Sequence, residues 1–201
     1  MSSYFDLTRS FAFYGSFHAN PVNQWIHIIC VPIIFTTSIE LLLRVSHPII
    51  VTALLVFYIT SFIRMHVFAG LAYAPILLMY GYIGAKILPD YSHLSMVLWA
   101  FSWIAQFVGH GLFEKRAPAL LTNLPQSIHA AVFFVWIELL MKFGLFNKSL
   151  ERKLNSAVKR ERSKFYTDFP STCTVNTLKT MLTGLFSRTP WRITWWKIYP
   201  S

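Results

Sequence analysis

Charge is the scarcest commodity in this 201-residue chain: only 13% of residues are Asp, Glu, Lys or Arg, about half the share of an ordinary soluble domain. With 55% hydrophobic residues and a mean hydropathy of +0.48, so little charge excludes a conventional water-soluble globule and points to an integral membrane protein. Cysteine is nearly absent. Cys30 lies in an apolar run and Cys173 near the C-terminus, with no CxxC or Cys/His zinc spacing, so neither a disulfide framework nor a zinc module is expected. The first 17 residues include Asp6 and Arg9 and lack a long apolar core. They do not read as a cleavable signal, and the first hydrophobic helix is expected to direct targeting. Acidic residues number 8 against 18 Lys and Arg. The excess is concentrated in residues 147–201, where 11 basic residues face 3 acids for a net +8. No zinc-finger, helix-turn-helix or RNA-binding signature accompanies this charge, so nucleic acid is not the expected partner. A basic segment beside a bilayer is.

Long hydrophobic runs, by contrast, are plentiful. Five apolar stretches stand out: Ile28–Leu43, Pro48–Ile63, Val67–Leu88, Leu94–Phe113 and Ile128–Phe146. None shows the alternation of a barrel strand, so the predicted fold is all-α, a polytopic membrane bundle of four to five hydrophobic helices. The third and fourth reach the roughly 20 residues of a full span, and the first two suit a thin bilayer. The fifth carries Glu138 and Lys142 and is expected to lie along the interface or against the bundle. Short links at Arg44–His47, Arg64–His66 and Pro89–His93 predict antiparallel neighbours. The chain thus divides into a membrane-embedded domain, 1–147, and a basic tail, 148–201, whose Trp-rich end suits a headgroup layer or a disordered segment. Asn147-Lys148-Ser149 is a glycosylation sequon at that junction.

Two polar constellations interrupt the hydrocarbon. The first is "FYGSFHANPVNQWIH", Phe13–His27. Asn20-Pro21 reads as an N-cap followed by proline at the first helical position. Asn23 and His27 then share a helix face, and His18 folds back from the preceding loop. The second is "WIAQFVGHGLFEKRAPAL", Trp103–Leu120. Gln106, His110 and Glu114 form a stripe at spacings of four, and His110 with Glu114 has the spacing by which a helix offers two ligands to one ion. Gly109 and Gly111 permit close helix approach. Four crossings return the chain to its starting side, so the two constellations are expected at one membrane face. Polar groups in a span are expensive and tend to be functional. Each histidine taken singly is also a plausible helix–helix hydrogen bonder. His47, His66 and His93 read as solvated, His129 as interfacial, and Glu40 and Glu138 as packed in the bundle. Two histidines with a carboxylate fit oxygen-activating Fe(II) or hydrolytic zinc, and spacing does not separate these.

"FYGSFHANPVNQWIHIICVP" together with "WIAQFVGHGLFEKRAPALLTNLPQS" resembles the endoplasmic-reticulum Fe(II)-dependent 2-hydroxy fatty acid dioxygenases, over about residues 5–147. The resemblance implies a multi-pass protein of that membrane holding one Fe(2+). It implies shortening of a long-chain 2-hydroxy fatty acid, including the phytosphingosine-derived acid, by one carbon with consumption of O2. Carried over by position, His18, His27, His110 and Glu114 match the family's metal-site and catalytic residues. His129 falls where that family commonly has a hydrophobic residue and is left out of the metal set. A 2-hydroxy carboxylate can offer its hydroxyl and one carboxylate oxygen to a single ion. Lys115 and Arg116 are candidate partners for the carboxylate, or plain interface anchors. Two other readings remain: a di-iron fatty acid hydroxylase or desaturase, disfavoured by seven histidines without HxxxH or HxxHH boxes, and a non-enzymatic membrane scaffold.

Overall fold

A computed structural model describes residues 5–115 and 124–168. These form seven α-helices: α1 (Leu7–Ser16), α2 (Pro21–Val45), α3 (Pro48–Met65), α4 (Val67–Tyr82), α5 (Ser92–Val108), α6 (Leu124–Lys142) and α7 (Lys148–Asp168). No strand occurs among the described residues, in agreement with the all-α expectation. Local chemistry sets the starts. Asp6 caps α1 by accepting from the Arg9 N–H at 2.8 Å, and Asn20 caps α2 by accepting from Val22 N at 2.9 Å. Proline occupies the first turn of both α2 and α3, where its missing N–H has no helical partner to lose.

The links are tighter than the sequence suggests. α2 runs to Val45 and α3 to Met65, leaving Ser46–His47 and His66 as the whole connections. His47 and His66 are therefore not plain loop residues. Each caps the following helix, with Nδ1 accepting from Ile49 N at 3.3 Å and from Ala69 N at 3.1 Å. The third and fourth apolar stretches are not separated by a loop at Pro89–His93. A π-helical turn over Ile83–Ile87 and a 3-10 turn over Leu88–Tyr91 carry the helical path through Pro89. Proline lacks an N–H and its ring collides with the carbonyl four residues back in a regular α-helix. Changing the turn type relieves that conflict, and the chain leaves the helical region only at Tyr91 (φ −122°, ψ 40°), from which α5 starts. Three segments are thus long and apolar enough to cross a bilayer: Pro21–Val45, Pro48–Met65 and the 48-residue Val67–Glu114.

Side-chain pairs give the directions. α2 lies antiparallel to α5: Trp99 donates to Ser38 at 3.1 Å, Ser95 donates to Glu40 at 3.0 Å, and His27 meets His110. α3 and α4 form an antiparallel hairpin about His66, with Phe62 stacked on Tyr73 and a close backbone approach of Gly70 to Ile63. α6, the fifth stretch, packs in the bundle. Its Phe133 stacks on Phe62 with centroids 4.5 Å apart, its Trp136 on Tyr73 at 5.1 Å, and its Phe134 meets Phe11 of α1 edge-on at 5.3 Å. Phe133, Phe134 and Ile137 are fully buried. Large apolar side chains elsewhere, such as Ile49, Phe68, Leu78, Phe101 and Leu112, stay exposed, as expected of surfaces that a bilayer covers.

Glu40 packs inside as expected, ionically paired with Arg44 on the next turn (2.6 Å from Nε). α7 starts where the basic segment begins, yet Leu154 and Ala157 are buried. The compact unit accordingly extends over Met1–Arg162. Of the second unit, Ser163–Ser201, only the end of α7 is described. The Trp-rich end and Arg116 lie outside the described residues.

Candidate metal centre

His18, His27 and His110 come together. Their ring centroids are 4.4, 4.9 and 4.9 Å apart, and the rings stand 70–80° to one another. One ring nitrogen from each falls within 4.8 Å of the others. All three are buried, at 5%, 3% and 3% exposure. This is the one group of three or more His, Cys, Asp or Glu among the described residues whose ligand atoms converge in this way.

Each ring is held by the chain around it. His18 Nδ1 donates to the Tyr14 carbonyl at 2.8 Å, and His27 Nδ1 donates to the Asn23 carbonyl at 2.9 Å. A carbonyl only accepts, so Nδ1 carries the proton and Nε2 keeps its lone pair, the tautomer a metal requires. The Tyr14 ring also stacks on His18, with centroids 4.0 Å apart and planes 16° from parallel. Burial, with the Glu138 and Glu114 carboxylates nearby, holds the Tyr14 phenol well above its ordinary range, so it stays protonated. Gln24 donates to the His18 carbonyl at 2.9 Å and accepts from Lys142 of α6 at 3.0 Å. The turn bearing His18 is thereby tied to two helices.

His110 arrives from the other side on a π-helical turn, Gly109–Glu114, that extends α5. A Cβ on Gly109 would overlap Asn23 Oδ1 and sit 3.3 Å from Ile26. The absence of a side chain there is what lets α2 and this turn close far enough for His27 and His110 to meet. Gly111 has open space beside it and plays no such part. The antiparallel contact of α2 with α5 thus brings the two constellations together, at the start of one helix and the end of the other.

Glu114 does not enter the cluster. Its Oε1 accepts from Asn20 N–H at 2.6 Å and from the Asn23 amide at 3.4 Å. A π turn closes i to i+5 rather than i to i+4, so Glu114 is re-aimed relative to the α-helical register that made it a partner of His110. It lies instead at the N-terminus of α2, where an anion is favourable. Lys115, with φ of 52°, ends the turn in the left-handed region and is exposed. His129 is buried apart from the triad, with Nε2 2.6 Å from Ser61 Oγ.

From the triad a cavity of about 270 Å³ extends between α2, α3, α5 and α6, walled by Val31, Phe35, Ile39, Leu42, Leu54 and Phe107 among others. That is near the lower end of ligand-pocket volumes, and its largely apolar lining suits a hydrocarbon chain. Three buried imidazoles, two of them with the Nε2 lone pair preset, fit a borderline divalent ion such as iron or zinc, so the donor set is right for a metal. Sequence reading found the three histidines and Asn23. It missed the stack from Tyr14, although Tyr14 stands four residues before His18 just as Asn23 does before His27.

Residues 4–143 match the family model described as "Mpo1-like: 2-hydroxy-palmitic acid dioxygenase Mpo1-like". The chain is 37% identical over 146 residues to the 2-hydroxy-palmitic acid dioxygenase MPO1 of Saccharomyces cerevisiae, a match covering 69% of this chain and 82% of that protein. No solved structure matches. With the matched stretch enclosing all three histidines of the cluster, the chain belongs to the Mpo1-like family.

Proposed function

We propose that this protein is an Fe(2+)-dependent dioxygenase of the endoplasmic-reticulum membrane that shortens long-chain 2-hydroxy fatty acids by one carbon, including the acid derived from phytosphingosine. The observation that carries the reading is the placement of three buried imidazoles at one end of an otherwise hydrocarbon-lined cavity. The family supplies the substrate class, and the similarity to the yeast dioxygenase of 2-hydroxy-palmitic acid supports it.

His18, His27 and His110 would hold the iron, whose chemistry is to activate O2 beside the substrate. The chain's own part is positioning and exclusion of water. The Tyr14 and Asn23 carbonyls lock two imidazoles as ligands. Three imidazoles as the protein's share of the ligands would leave room for substrate and O2, as an oxygenase needs. Phe35, Ile39 and Leu42 receive the acyl chain, which keeps the reacting end at the triad and in a fixed register. Glu114 serves as an anionic brace on Asn20 and Asn23 rather than as a fourth ligand. The exposed apolar belt on α3, α4 and α5 supports a cavity set among lipid tails, from which the substrate would enter.

The test is metal analysis of the purified full chain together with O2 uptake on 2-hydroxyhexadecanoic acid and detection of pentadecanoic acid. About one iron per chain and stoichiometric O2 consumption are expected. Unimpaired turnover after thorough chelation would refute the reading.

A further inference from the structure

Outside the triad, and besides the Tyr14 phenol that Glu138 faces, three hydrogen-bond donors in the cavity wall lack partners. Trp103 Nε1, Gln106 Nε2 and Ser127 Oγ are shielded from solvent and make no hydrogen bond, and all three residues line the cavity. A shielded donor left without an acceptor is costly, so three around one space call for an occupant that accepts. The other polar pair on that wall needs none, because Trp99 already donates to Ser38. Trp103, Gln106 and His110 recur at helical spacing along α5 and its extension. Ser127 lines the same cavity from α6. Gln106 stands one turn before His110 and Trp103 about two, so the donors on α5 run toward the triad end of the cavity, where the polar end of a 2-hydroxy acid would lie.

We infer that Gln106, with Trp103 and Ser127, binds the substrate's carboxylate through neutral N–H and O–H donors and so selects free 2-hydroxy acids over esterified or reduced analogues. The inference rests on the proposed function and names the headgroup recognised at that same site. No lysine or arginine lines the cavity among the described residues. Lys115 is exposed and does not reach it. Neutral donors suit this position physically. A fixed cation in so apolar a space would have to be desolvated whenever the cavity is empty, whereas amide, indole and hydroxyl donors carry no such charge. A carboxylate offers about four lone-pair directions, enough for these donors and the centre together. Indole donates only, and glutamine Nε2 donates only. An ester carbonyl or an alcohol oxygen can also accept from these donors, but as a neutral acceptor it makes the weaker bond, so the preference rests on the charge of the carboxylate.

The test measures binding to the metal-free full chain in detergent, so that it does not depend on turnover. The probes are 2-hydroxyhexadecanoic acid, its methyl ester and hexadecane-1,2-diol. The unsubstituted protein should prefer the acid over the ester and the diol by about tenfold or more, the size expected of hydrogen bonds to a charged group. Gln106→Met keeps length and removes the donor, and should reduce that preference to about threefold or less. Gln106→Glu should reverse it by like-charge repulsion. Each preference is a ratio within one sample, so partial misfolding does not imitate the result. If both Gln106 variants fail to take up iron, Ser127→Ala and Trp103→Phe carry the same measurement. A variant that takes up metal normally and keeps the full preference for the acid overturns the inference. The proposed function fails separately: acid selectivity without O2 consumption in the unsubstituted protein would leave headgroup recognition standing and remove the oxygenase.

Discussion

Two places in this molecule bury imidazole, and they differ in kind. At His129 a single ring sits among Phe57, Tyr58 and Phe62, with Ser61 Oγ 2.6 Å from Nε2. Ser61 in turn donates to the Tyr58 carbonyl at 2.9 Å, so it accepts from the imidazole and the contact is closed within the core. At His18, His27 and His110 three rings face one another, and two of them spend Nδ1 on a carbonyl of their own helical turn. Burial is equal in the two places, at 3–5% exposure. What separates a packed histidine from a candidate ligand is therefore the convergence of lone pairs, and burial alone says nothing about it.

The largest effect that would break this contrast is expected from His110→Ala. If the triad holds the iron, removing one of its three imidazoles should lower iron affinity and turnover by more than about 100-fold, beyond what loss of a supporting contact gives. Metal content by elemental analysis checks it, and normal iron loading would count against the triad. Gly109→Ala should come next. The added methyl pushes on Asn23, which also holds His27, so iron affinity should fall by about tenfold, within the range for outer-shell disturbances. Glu114→Gln sharpens the picture further. The side chain still accepts from Asn20 but loses its charge at the start of α2, which should cost about 0.3–1 kcal/mol of stability and leave iron content unchanged. Loss of stoichiometric iron in that variant would instead make Glu114 a ligand. The smallest effect belongs to His129→Phe. An apolar ring of similar shape replaces a satisfied polar one, a change that is often near neutral, and Ser61 retains the Tyr58 carbonyl. Turnover within about threefold of the unsubstituted enzyme is expected, measured by O2 uptake.

Much of the architecture was legible before any coordinates. Hydropathy marked every apolar helix, and Asn20-Pro21 marked the start of α2 at the residue where it begins. The break expected at Pro89 falls two residues later, at Tyr91, whose φ of −122° and ψ of 40° leave the helical region. A π turn and a 3-10 turn carry the path through Pro89 itself, and no composition signal marks that shift. His47 and His66 read as loop histidines because a two-residue or one-residue link leaves no room in the pattern for a recognisable cap. Trp103 and Ser127 carried no signal at all. An indole in an apolar helix looks like an interfacial anchor, and a serine near a helix start looks like a cap.

The sequence by itself determined the solvent, the helices and the ligand type, because these follow from hydropathy, capping chemistry and the side-chain donors that each segment carries. Only the tertiary structure decided that residues 18, 27 and 110 meet, that Glu114 braces α2 instead of joining them, and which cavity donors are left wanting an acceptor. The reason is physical. Ligand convergence and hydrogen-bond satisfaction depend on distances between segments remote in the chain, and those distances are set by the α2–α5 contact and by a π turn that local sequence does not announce.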